Sequence, residues 1–130
     1  MYWAIKFSEE TKNKILKLLE NCQIEIPSDW KVYCDHITLV HQASVDQKTW
    51  EMVDTILHNF ENDMAYFRIT GFARNAKVMA VSVSAGTLNK VSHITIAVAP
   101  GHKPVESNDL ENWEKVWHAY AYGGRVNLIK

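Results

Sequence analysis

The stretch CDHITLVH at residues 34–41 returns in altered form as SHITIAVA at 92–99. Both contain His-Ile-Thr followed by an aliphatic residue. On a β-strand successive side chains point to opposite faces. His36 and Thr38 therefore share one face, and Ile37 and Leu39 the other. His93 and Thr95 stand in the same relation to Ile94 and Ile96. Each copy offers an imidazole and a hydroxyl side by side, backed by aliphatic groups that anchor the strand in a core. The same alternation puts Asp35 and His41 on the face opposite His36.

The flanking sequence supplies the remaining elements. YWAIKF (2–7) alternates in part and reads as a strand. SEETKNKILKLLENC (8–22) reads as a helix: Ser8, Glu9 and Glu10 suit its start, and Ile15, Leu16, Leu18, Leu19 and Cys22 form an apolar stripe. Residues 23–31, with Pro27, form a connection, and VYCDHITLVH (32–41) is one strand. A second helix is expected within 44–62, capped by Ser44 or Asp46, with Trp50, Val53, Ile56, Leu57 and Phe60 at helical spacing. Residues 65–74, 76–85 and 90–99 read as strands, the first two turning at Asn75. Residues 100–109 read as a loop in which Ser107 or Asn108 caps a short helical turn through Trp113. The last segment, 115–130, is expected to be a hairpin around Gly123-Gly124. The order is β-α-β-α followed by strands, an α+β class with mostly antiparallel pairing.

At 130 residues the chain has the length of one domain, 1–130. It is 47% hydrophobic and 22% charged, which argues against disorder. A formal net charge of −1 gives no basic track for long double-stranded DNA or RNA. Cys22 and Cys34 form no disulfide framework, and no run is apolar enough to span a membrane or act as a secretory leader. These features lead to the expectation of a cytoplasmic protein with no membrane partner. Cys34 reads as a small buried filler.

Two imidazoles and two hydroxyls around one cleft suit phosphodiester cleavage. Near neutral pH one ring can be neutral and accept a proton while the other carries one and donates it. Hydroxyls can hold non-bridging phosphate oxygens as charge shifts. The scheme calls for no metal and no cofactor. A metal site built from His36, His41, His93, His102 and His118 is the competing reading, but the chain has neither H-E-x-x-H nor His-x-His. His58 reads as a solvated helix residue. Arg74 and Lys77 flank a turn, open to cleft or solvent. Trp3, Trp30, Tyr33, Trp113 and Trp117 are the aromatic candidates for stacking a base, with Trp3 and Tyr33 preferred.

Two H-x-T motifs on strands of an α+β domain resemble the 2H phosphoesterase superfamily. Its members include LigT-like RNA ligases and phosphodiesterases, the cyclic phosphodiesterase domain of fungal tRNA ligases, and viral enzymes that degrade cyclic or 2′–5′ oligonucleotide immune signals. Lys103, Pro104, Ser107 and Asn108 are similar to the Lys-Pro-x-x-Ser-Asn run that follows the second motif in tRNA-ligase-type members, and AKVMAVSV (76–83) resembles the strand between the motifs. The resemblance covers most of residues 33–109. It implies a compact two-lobed fold, catalytic roles for His36, Thr38, His93 and Thr95, and substrate binding by Lys103 and Ser107. The implied substrate is a small nucleotide or oligoribonucleotide. Degradation of small signals, by a viral protein in host-cell cytoplasm, is placed ahead of opening 2′,3′-cyclic phosphate RNA ends. A non-catalytic nucleotide sponge is the alternative of another class, and intact His and Thr at all four positions argue against it. Sequence leaves open which histidine is acid, and the oligomeric state.

Overall fold

The computed structural model describes residues 1–87, 91–115 and 120–130. Its elements are β1 (Tyr2–Lys6), α1 (Glu9–Asn21), β2 (Lys31–Val32), β3 (His36–His41), α2 (Gln47–His58), β4 (Met64–Phe67), β5 (Ile69–Arg74), β6 (Val78–Val83), β7 (His93–Val98), β8 (Glu114–Lys115) and β9 (Tyr122–Ile129). Short 3₁₀ turns occupy Gln42–Ser44 and Pro104–Asp109. The strands form two antiparallel sheets, one in the order β3-β1-β9-β4 and the other β2-β7-β6-β5-β8. The class is α+β, as the sequence indicates, and matches a compact 2H phosphoesterase fold.

Both helices begin where their caps dictate. Ser8 accepts from the Thr11 amide, and Asp46 accepts from the Thr49 amide at 2.7 Å. Each thereby satisfies an amide that has no partner within the first turn. Ile15 and Leu19 of α1 and Trp50 of α2 enter one core with Trp3 and Ile5 of β1, Ile37 and Val40 of β3, and Met79, Val81, Ile94 and Ile96 of the other sheet. Asn75 closes the β5–β6 hairpin, its side-chain oxygen accepting from the Lys77 and Val78 amides.

Three stretches depart from the sequence reading. Residues 32–41 are not one strand: β2 pairs with β7 in one sheet and β3 with β1 in the other. Between them the Tyr33 and Cys34 amides donate to the Ile96 and Thr95 carbonyls, and the Phe7 amide donates to the Asp35 carbonyl. The chain crosses between sheets while still bonded to β7, which sets β3 beside it. Residues 64–74 split likewise into β4 and β5, in different sheets. The expected terminal hairpin is replaced by β9, a long strand between β1 and β4, with Gly123 and Gly124 inside it. A Cβ at Gly124 would lie 2.7 Å from both the Ile5 Cγ2 and the Lys6 carbonyl oxygen, so close backbone approach, not a turn, requires the glycine. Trp117 and His118 lie outside the described residues.

Candidate active site

β3 is an edge strand of one sheet, and β7 lies between β2 and β6 in the other. Their H-x-T faces line a single cleft of about 420 Å³. His36, Thr38, His93 and Thr95 all border it, together with Tyr2, Lys6, Tyr33, Asp35, His41, Ser44, Ser107 and Asn108. The two copies are built alike. Thr38 sits opposite Ala4 and Val40 opposite Trp3, so Leu39 bulges out of the β1–β3 pairing. Thr95 sits opposite Ala80 and Ala97 opposite Met79, so Ile96 bulges out of the β6–β7 pairing. Each threonine thus faces a fully buried alanine and is followed by one unpaired residue.

The two histidines have different partners. His36 Nδ1 lies 2.6 Å from Asp35 Oδ1. The hydrogen bond from His36 holds the Asp35 carboxyl below its ordinary range, opposed by partial burial and assisted by the charges of His36, Lys6 and Lys12. The expectation that Asp35 faces away from His36 is corrected. Asp35 lies ahead of β3, outside its alternation, and its carboxyl reaches His36; Cys34 before it takes a left-handed backbone, φ 44°. That conformation costs roughly 1–2 kcal/mol in a non-glycine residue. Cys34 is fully buried, as its filler role requires.

His93 Nδ1 lies 2.8 Å from the Val91 carbonyl and therefore donates to it. Its Nε2 lies 2.9 Å from Ser107 Oγ, which lies 2.8 Å from Thr95 Oγ1 and 2.6 Å from the Pro104 carbonyl oxygen. Burial pushes the His93 pKa below its ordinary value; the Val91 bond opposes this, and the charge of His36 adds to it.

The remaining expected residues are distributed unevenly. Tyr33 lines the cleft, with Lys31 Nζ 5.0 Å from its ring centroid. Ser107 lines it too, 2% exposed. Ser107 and Asn108 do not cap a following helix, because they lie inside the 3₁₀ turn, where Ser107 bonds back to Pro104. Lys103 is exposed and outside the cleft lining; its amide donates to Glu106 at 2.7 Å. Trp3 is a core residue, 0% exposed, with its indole N–H donating to Asp54 of α2 at 2.8 Å. It is corrected as a base-stacking candidate, because β1 turns Tyr2, not Trp3, toward the cleft. Arg74 and Lys77 are exposed away from it.

Sequence reasoning missed Tyr2, Lys6, Asp35 and His41. The Leu39 bulge resets the alternation, so His41 returns to the His36 side and stacks on Tyr2 with ring centroids 5.5 Å apart. Lys6 stands opposite His36 in the β1–β3 register, which no local signal reveals. Among the described residues no group of three His, Cys, Asp or Glu side chains is arranged to hold a metal ion. No described helix is long and apolar enough to cross a membrane.

Two strand-borne H-x-T motifs facing one cleft between two antiparallel sheets define the 2H phosphoesterase class. The model of the fungal tRNA ligase phosphodiesterase domain matches residues 25–126, and the chain belongs to that family. Membership supports a cyclic phosphodiesterase activity on RNA. No curated protein and no solved structure matches the chain.

Proposed function

We propose that the chain opens the 2′,3′-cyclic phosphate of an RNA end or a small ribonucleotide. The observation that carries this is the meeting of both H-x-T pairs in one cleft with unlike partners on the two rings. The cleft has the volume of a small-ligand site.

The phosphate lies between Thr38 and Thr95, whose hydroxyls donate to its non-bridging oxygens. His93, kept neutral first by burial, takes a proton from the attacking water. His36 donates from Nε2 to the departing ribose oxygen, with the Asp35 carboxylate as counter-charge on Nδ1. Water's oxygen forms the new bond to phosphorus as the ribose O–P bond breaks. Net, one water is consumed and a phosphomonoester forms. Proton exchange with solvent resets both rings. Lys6, on the cleft wall, takes the anion-binding part expected of Lys103. Tyr2 stacked on His41 offers one surface for a base, and Tyr33 another.

The family match favours the RNA-end reading over degradation of small immune signals. An activity panel tests it: 2′,3′-cyclic mononucleotides and RNA ends set against cyclic di- and trinucleotides and 2′–5′ oligoadenylates, resolved by chromatography. Turnover of the 2′,3′-cyclic substrates, surviving EDTA, is expected. Turnover confined to the other group would install the signal-degrading reading. Tight binding without turnover would install the sponge. His36→Ala and His93→Ala should each lower kcat about 10²–10⁴-fold. Lys6→Met should raise KM while Lys103→Met leaves it unchanged.

A further inference from the structure

Among the described residues Ser107 Oγ touches three polar atoms, His93 Nε2, Thr95 Oγ1 and the Pro104 carbonyl oxygen. A serine hydroxyl has one hydrogen to give and two lone pairs to accept with. The Val91 carbonyl fixes the hydrogen of a neutral His93 on Nδ1, leaving Nε2 bare. Ser107 then has two acceptors for one hydrogen, Nε2 and the Pro104 oxygen. When His93 carries a second proton the conflict disappears. Nε2–H donates to Ser107, Thr95 donates to Ser107, and Ser107 donates to Pro104. Burial opposes that charged state, so the resting network is one proton short of full satisfaction.

From this network, and resting on the phosphodiesterase reading above, we propose that Ser107 relays the proton from the attacking water to His93. Ser107 Oγ already lies at hydrogen-bond distance from Nε2, 2.9 Å, in the place of a directly bonded water. Phosphate binding turns the Thr95 hydroxyl from Ser107 to a phosphate oxygen and frees a Ser107 lone pair. Water donates into that lone pair. As water's oxygen bonds to phosphorus, its proton moves to Ser107 Oγ and the original Ser107 proton moves to Nε2. The serine is regenerated, and its new O–H turns to the Pro104 carbonyl, 2.6 Å away. Substrate binding thereby arms the relay through Thr95. Of the other titratable groups of the cleft, which include Lys6, Tyr2 and Tyr33, His36 bonds to Asp35 and His41 accepts from the Ala43 amide, while His93 is the ring bonded to Ser107.

The test is Ser107→Ala in the full chain, assayed on a 2′,3′-cyclic mononucleotide and by ¹⁵N NMR of the imidazoles. The expected result has three parts: kcat about 10–100-fold lower with KM little changed, the acid limb of the kcat profile at lower pH because the His93 imidazolium loses an acceptor, and one fewer exchanging proton in the solvent-isotope inventory. Wild-type kcat and an unmoved limb would overturn the relay. A faster variant would also overturn it, by showing that the hydroxyl merely blocks Nε2. If the variant does not fold, the wild-type spectrum decides: at pH 8 the relay requires His93 Nε2 to show the shift of a nitrogen accepting a hydrogen bond, and a free-nitrogen shift overturns it. Inactivity of the wild type on the whole panel would instead defeat the phosphodiesterase reading, and the NMR titration would still report on the Ser107–His93 bond.

Discussion

The Asp35 carboxylate accepts from His36 Nδ1 and so turns Nε2 toward the cleft. Its effect on the reaction follows from charge as well as orientation. An amide at this position can still accept the hydrogen bond but supplies no counter-charge when the ring carries its proton. Asp35→Asn should therefore lower kcat about tenfold, the rate equivalent of about 1.4 kcal/mol. Asp35→Ala, which removes the bond too, should lower it further. A full-rate Asp35→Ala enzyme, measured under saturating substrate, would remove Asp35 from the mechanism. Asp35 also shows what residue-level reading can and cannot give. His36, Thr38, His93 and Thr95 are legible because their repeat and their alternation are written in the letters. The Asp35 contact falls just ahead of β3, where strand alternation no longer applies, and no local signal in the letters places the start of that strand at His36.

At the scale of the element, β1 divides its neighbours between two environments. Tyr2 faces the cleft, while Trp3 sits in the core and bonds to α2 through Asp54. Neighbouring substitutions should separate accordingly. Trp3→Ala should cost about 3–5 kcal/mol in urea unfolding. Tyr2→Ala should leave the unfolding midpoint nearly unchanged and raise KM roughly tenfold, within the ~1–3 kcal/mol that a stacked base contributes. Equal effects of the two on stability would mean that the faces of β1 are assigned wrongly. Gly124→Ala should destabilise by about 1–3 kcal/mol, because the new methyl must displace β1 backbone at Lys6. Strand content, both helices and their caps are plain in the sequence, since periodicity and capping are local. The sheet changes at 33–35 and at Arg68 are not. β-propensity runs through both without a proline or glycine to mark them, and only pairing partners far along the chain separate the strands.

The whole molecule brings one histidine from each sheet to a shared cleft, and this makes its stability and its ligand affinity depend on pH in opposite directions. Folded His93 titrates below the ordinary histidine value, chiefly through burial and also through the charge of His36. The unfolded chain, titrating near pH 6.5, binds more protons than the folded one between those two values. The contribution of His93 to stability is thus fully present above about pH 6.5 and is lost as pH falls through its lower folded value. The depressed Asp35 carboxyl adds a second loss that begins lower, below about pH 3.9. An anion lodged between the rings reverses the balance, since it favours protonation of His93. Inorganic phosphate or a nucleoside 2′-monophosphate should therefore bind with proton uptake, and more tightly at pH 6 than at pH 8. Isothermal titration in buffers of different ionisation enthalpy measures that uptake directly. Urea midpoints should fall from pH 8 to pH 5.5 in the free protein, and phosphate should recover part of the loss. In His93→Gln the proton uptake should shrink and the fall between pH 6.5 and 5.5 should flatten. A wild type whose phosphate affinity is the same at pH 6 and pH 8 would show that the two rings do not share one anion.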